Sequence, residues 1–282
     1  MNNTFNINRF GKVLKHDGLN FFPNMGLALA ILWAIPVIFY LFVSLMPGHE
    51  THVFDAYSRI DTIDLILKIT IIIAPARLYK YCNDQRQGIS YAMLPASTFE
   101  KFLSMVIYCV IVTPIVYIAG ALAIDSILAL YNGPYEGFAV PIYFDKHAQL
   151  SYIVDEHNMA GVFDDSWTVF LNSLSPTFMS FLGMFGMLML SSIFMFGNMI
   201  FKKHKTPKMI GILILLSIIF MILVINYVAH YETIFSNWNR ETATDILERL
   251  IYITINVAFY LEIIVSALLL WGVYHKIKTQ KY

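Results

Sequence analysis

Runs of mostly apolar residues recur along the chain at 26–46, 62–81, 102–124, 177–200, 209–230 and 250–273, without period-2 alternation inside them. At about 1.5 Å rise per residue, each is long enough to cross a hydrocarbon layer about 30 Å thick. The absence of alternation excludes a membrane β-barrel. The pattern predicts an all-α polytopic membrane protein with six transmembrane helices. Ahead of the first run, residues 1–25 place Phe10, Val13, Leu14 and Phe21 on one stripe, with Arg9, Lys12 and Lys15 opposite. That segment reads either as an amphipathic helix lying in the cytoplasmic interface or as a short tail without fixed structure. Residues 26–282 then make the transmembrane domain, and residues 125–176 are long enough for a small extracytoplasmic lobe between helices 3 and 4. Within the lobe, Asn132-Gly133-Pro134 marks a turn, and Asp165 or Ser166 is placed to cap a short helix through Trp167, Phe170 and Leu174.

Composition supports the membrane reading. Apolar types make up 58% of the 282 residues and charged types 13%, against about 25% charged in ordinary globular chains. Arg9, Lys12, Lys15 and Asp17 precede the first run and no small-residue cleavage site closes it promptly, so it reads as a retained anchor and not as a cleaved leader. The net charge is zero, which gives no field to recruit nucleic acid. Sign therefore matters loop by loop. Fourteen Lys and Arg flank the spans on the side of both termini, and Arg59, Lys146, Arg240 and Arg249 fall on the other side. The excess of positive charge predicts that both termini are cytoplasmic, in a cell (inner) membrane.

The chemistry that the sequence offers is sparse. It has neither a Walker A pattern nor a GxGxxG loop, so any ATP use belongs to a partner. His49 and His52 are three residues apart, where HExxH needs four, and the dispersed acidic residues with His147 and His157 lack a calcium-loop pattern. No GxSxG elbow frames a nucleophile. The sequence thus supports no enzyme assignment, no cofactor and no metal; an intramembrane enzyme, a third reading, would require a polar constellation at one depth, for which only Lys68 and Glu262 qualify. Pro36, Pro75 and Pro114 sit near the middles of the first three spans, where proline either kinks a helix statically or marks a hinge of a moving bundle. Lys68 and Glu262 are the charges deepest in the spans. An unpaired charge there costs at least about 2.5–3.5 kcal/mol, so each should find a partner or a watery cavity. Asp64 competes for Lys68 as an i, i+4 neighbour, and the expectation is that Lys68 and Glu262, offset in depth by roughly 7 Å, pair across spans 2 and 6 as a structural lock or in substrate passage.

Residues 82–101, between spans 2 and 3, hold the most specific pattern. Polar residues leave the membrane, and Leu94-Pro95-Ala96-Ser97 then starts a new helix with Ser97 as N-cap and Glu100 three residues on, a capping box. Together with the N-terminal segment and six spans, this element resembles the membrane subunit of ABC-2 type ABC transporters, whose coupling segment ends in an L-P-x-S element leading to a lysine, here Lys101. Thr98 follows the serine, where family members often have arginine. The resemblance implies an exporter permease subunit that forms a homodimer or heterodimer among membrane lipid and couples to a cytoplasmic ABC ATPase subunit through Arg86, Leu94, Pro95, Ser97, Glu100 and Lys101. It leaves the substrate open. The rival reading is a membrane scaffold or sensor whose outer lobe binds a partner.

Overall fold

The computed structural model describes residues 5–45, 56–83, 91, 93–131, 137–148, 176–201, 205–235 and 240–279. All regular structure among them is helical: α1 (Ile7–Ser44), α2 (Ala56–Leu78), a 3₁₀ turn (Lys80–Asn83), α3 (Thr98–Val106), a π segment (Ile107–Val112), α4 (Thr113–Leu130), α5 (Ala139–Ala148), α6 (Pro176–Ile200), α7 (Lys205–Phe235) and α8 (Arg240–Thr279). Each apolar run of the sequence falls largely within a helix. Among the described residues, four stretches are long and apolar enough to cross a membrane by length and composition: Ile7–Phe42, Thr98–Leu130, Lys205–Leu223 and Tyr260–Thr279. The result is an all-helical protein compatible with an integral membrane location.

The core is one continuous cluster. Met25 and Leu29 of α1, Ile60, Leu67 and Ile71 of α2, Met105 of α3, Tyr117 of α4, Met195 and Met199 of α6 and Val273 of α8 are all buried in it. Outside it, α7 presents Ile210, Ile214, Leu215, Ile218 and Leu223 on its exposed surface, an apolar face that suits lipid and not water. Glycines let rings cross between helices, as two examples show. A Cβ on Gly120 would collide with the Trp33 indole, whose Nε1 donates to the Tyr117 carbonyl at 3.1 Å. One on Gly18 would lie 2.6 Å from the Tyr108 hydroxyl, which donates to the Leu14 carbonyl at 2.8 Å.

Two expectations about boundaries change. The N-terminal segment is not a separate element, because α1 runs unbroken from Ile7 to Ser44 with Pro23 and Pro36 inside it. Of its apolar stripe, Val13 and Phe21 are buried and Phe10 and Leu14 half-buried; Asp17 and Met25, four residues after each of the buried pair, are buried on the same face, which packs on α2 and α3–α4. At the other end of span 3, α4 continues to Leu130, six residues into the stretch assigned to the lobe. Of that lobe, α5 packs on α2, α4 and α6, whereas residues 149–175, with the proposed cap at Asp165 or Ser166, lie outside the described residues.

Candidate functional site

Phe5 and Phe99, Phe99 and Phe102, and Phe102 and Tyr274 make successive ring contacts, so the start of α1, the start of α3 and the last turns of α8 meet at one end of the bundle. The capping box lies at this terminal end. Ser97 is extended (φ −69°, ψ 158°), its hydroxyl accepts from the Glu100 N–H at 3.2 Å, and the Glu100 carboxylate accepts from the Ser97 N–H at 2.8 Å. Proline at 95, two residues ahead, disfavours helix in the residue before it and helps to set this start. The other carboxylate oxygen accepts from the Asn6 N–H at 2.8 Å and Arg9 Nη2 at 3.1 Å. Glu100 is fully buried, and it ties the beginning of α1 to the beginning of α3. Lys101 is buried beside it: its ammonium donates to the Tyr91 carbonyl at 2.9 Å and lies 5.5 Å from the Tyr91 ring centroid. Met93, 78% exposed, and Pro95 and Phe99 remain on the outside of this clasp.

One turn deeper, the buried carboxylate of Asp17 receives the Ser104 hydroxyl at 2.7 Å and the Tyr79 hydroxyl at 3.0 Å, with His16 Nδ1 3.2 Å from its second oxygen. Asn198 of α6 donates to the Tyr79 carbonyl at 3.2 Å, and Lys205 of α7 to the Lys80 carbonyl at 3.0 Å. Four helices are thus fastened around the end of α2. Cys82 follows, buried, and burial pushes its thiol well above the ordinary range, with the Asp17 carboxylate adding to the effect. A thiol held neutral is a poor nucleophile.

At the far end, Arg59 of α2 and Asp125 of α4 form a buried ion pair at 3.3 Å, each side chain about 5% exposed. The same two residues organise the entry to α5, because Arg59 Nη2 donates to the Gly137 carbonyl at 2.7 Å and Asp125 accepts from the Ala139 N–H at 3.3 Å. Gly137 has φ +65°, a backbone conformation that glycine adopts without cost. Beside the pair is a partly open cavity of about 250 Å³ between α1, α2 and α4, walled by Ile35, Pro36, Phe39, Ile66 and Ala121.

The residues singled out from sequence are distributed as follows. Ser97, Glu100 and Lys101 come together, with Leu94 half-buried and Pro95 exposed nearby, whereas Arg86 lies outside the described residues. Lys68 and Glu262 do not pair. Lys68 is exposed on α2, and Glu262 is half-buried on α8 with its Oε2 buried and lacking a hydrogen bond among the described residues. Pro36 and Pro75 lie inside α1 and α2, and Pro114 opens α4 directly after the π segment. That wider turn accommodates the proline ring, and the Thr113 hydroxyl donates to the Tyr108 carbonyl at 2.7 Å. His49 and His52 lie outside the described residues, and among those described no three His, Cys, Asp or Glu side chains gather as a metal site requires.

Sequence reasoning missed Arg59–Asp125 by treating both as outer-loop residues. The signal was present: counted from the apolar runs, Arg59 sits three residues before one and Asp125 one residue after the next, at the same level of antiparallel helices. Compared with known protein families, characterised proteins and solved structures, the chain matches none.

Proposed function

We propose that this chain is the permease subunit of an ABC exporter of the ABC-2 type, with six spans, both termini cytoplasmic, and a separate ATPase seated on residues 82–101. The observation that carries the reading is the clasp. A force-transmitting contact needs a short rigid element fixed to the spans, and Ser97, Glu100 and Lys101 fasten this one to α1, α3 and Tyr91. The resemblance of Leu94-Pro95-Ala96-Ser97 to the family's coupling element supports the same assignment. One part of the expectation is revised. Glu100 and Lys101 were expected to supply docking charges, but both are buried in internal bonds, so they serve as the buttress. The contact then falls to Met93, Leu94, Pro95 and Phe99, with Arg86 as the register charge. Closure of the ATPases would push this element and rock the spans between two states.

The test is affinity purification of the full chain from its native membranes, with the eluate assayed for ATP hydrolysis. The expected outcome for Arg86→Glu combined with Met93→Asp is loss of the co-purifying ATPase with insertion and thermal stability unchanged, since Met93 is 78% exposed. Wild-type ATPase stoichiometry in that variant overturns the assignment. Leu94→Asp is the harsher companion, because Leu94 also packs against the core.

Orientation has its own check. A single cysteine at position 150 is expected to react with an impermeant thiol reagent on intact cells, and one at 205 is not. Background from the native thiols is low, since Cys82 and Cys109 are buried. The reverse labelling pattern rejects a cytoplasmic docking element.

A further inference from the structure

Glu262 and Ser266 stand one turn apart on α8, inside the apolar stretch Tyr260–Thr279. Both carry an oxygen that the fold leaves without a partner. Glu262 Oε2 is buried and accepts no hydrogen bond, and Ser266, 1% exposed, has its Oγ unbonded among the described residues. The basic residues of the chain lie far off. Along α8 the nearest arginine and lysine are Arg249 and Lys276, thirteen and fourteen residues away in sequence, about 20 Å of helix. The helix α6, which packs along α8, has no charged residue and no histidine from Pro176 to Ile200. The charged residues of α3, Glu100 and Lys101, are bonded at the terminal end, where Phe102 touches Tyr274 twelve residues from Glu262. Lys68 of α2 is exposed and gives Glu262 no hydrogen bond.

We propose that Glu262 is a proton-binding site within the membrane, its carboxyl holding a proton that Oε2 donates to Ser266 Oγ. An isolated carboxylate in a low-dielectric medium is so unfavourable that the group neutralises itself by taking up a proton. The proton also meets both open oxygens at once. It turns Oε2 from an acceptor into a donor, and a hydroxyl four residues on, on the same helix face, is placed to accept. A metal ion is the poorer occupant, because hard cations take about six oxygen ligands or more. Only two oxygens stand open on this face of α8, and among the described residues no three His, Cys, Asp or Glu side chains gather. Access is from the bilayer: Tyr260, Leu261 and Ile264 beside the half-buried Glu262 are exposed and apolar in character. This inference rests on α8 lying in a membrane and stands whether or not an ATPase docks on residues 82–101.

The experiment treats the full-length chain in its native membranes at neutral pH with two carbodiimides, the lipid-soluble dicyclohexylcarbodiimide and a water-soluble cationic one. Both react with a protonated carboxyl. The acid O–H adds across one C=N bond, its proton going to nitrogen and its oxygen to the central carbon. Transfer of the acyl group to nitrogen then leaves a stable N-acylurea with nothing expelled, so the peptide gains the mass of one carbodiimide. The expected result is modification at Glu262 by dicyclohexylcarbodiimide, tenfold or more above the water-soluble reagent and unchanged when sodium chloride replaces choline chloride. Protection by sodium overturns the proposal in favour of a cation site, and equal modification by the two reagents overturns it in favour of a hydrated carboxylate. Infrared spectroscopy of the purified protein adds a readout that needs no reagent to reach the site. A protonated carboxyl has a carbonyl stretching band that ionisation abolishes. That band is expected in the difference between the wild-type chain and Glu262→Gln, an uncharged stand-in for the acid that should keep the melting temperature. It is expected to shift in Ser266→Ala, which removes the acceptor. Absence of the band overturns the proposal, and a band that Ser266→Ala leaves in place overturns the role given to Ser266.

Discussion

Asp125→Ala is expected to destabilise the bundle by about 3–5 kcal/mol, the range for removing one member of a buried ion pair. The size follows from what remains. Arg59, about 5% exposed, would keep its charge and lose the Asp125 carboxylate, and the Ala139 N–H would lose its acceptor at the start of α5. Replacing both members behaves differently, because apolar residues of similar volume spare the desolvation of two charges. Arg59→Met with Asp125→Leu is therefore expected to recover most of the loss. It falls short of full recovery because Arg59 Nη2 also holds the Gly137 carbonyl. Thermal unfolding of the detergent-solubilised protein, run as a double-mutant cycle, measures this. A double variant as unstable as Asp125→Ala alone would show that the side-chain shapes, and not the charges, hold this end together.

What the sequence disclosed depended on the range over which each feature is determined. The capping box was legible because it is set by a three-residue spacing and a preceding proline, and both survive without knowledge of any neighbour. The helices were legible for a similar reason, since a run of about 20 apolar residues fixes length and period. Pairing between helices is different. Lys68 and Glu262 were expected to pair across a depth offset of roughly 7 Å, but two residues meet only if both point at the same seam, and Lys68 is exposed. Arg59 and Asp125 meet because α2 and α4 pack along the face that carries both. An apolar stripe is legible on the N-terminal segment, yet composition does not say what covers such a stripe. The buried position of Asp17 within it, bonded to Tyr79 and Ser104, marks the cover as protein. A carboxylate with two hydroxyl donors on other helices has no signature in one-dimensional spacing.

The clasp yields the second large effect. Glu100→Ala is expected to cost about 2–4 kcal/mol, chiefly through hydrogen bonds to a charged acceptor, worth about 1.5–3 kcal/mol each when taken singly and not additive. The Ser97 and Asn6 N–H groups, each 2.8 Å from the carboxylate, would lose their acceptor together. Arg9 contributes less: its side chain is 30% exposed, so water screens the ion pair, and its share is expected to be at most about 1 kcal/mol. This ranking separates the interactions experimentally. Arg9→Ala should be mild, Glu100→Gln intermediate because the amide oxygen still accepts, and Glu100→Ala severe. The loss should also be local first. Amide exchange at residues 6–10 and 97–101 is expected to accelerate well before exchange in α6, because the hydrogen bonds of Glu100 join the two helix starts. If Arg9→Ala matched Glu100→Ala, the ion pair and not the capped backbone would be the fastening. If the exchange of α6 rose in step, the clasp would be part of the global core. Under the proposed function, releasing the clasp with Met93 and Phe99 untouched should also lower ATPase retention, and that outcome would identify rigidity as what the proposed docking element needs from Glu100.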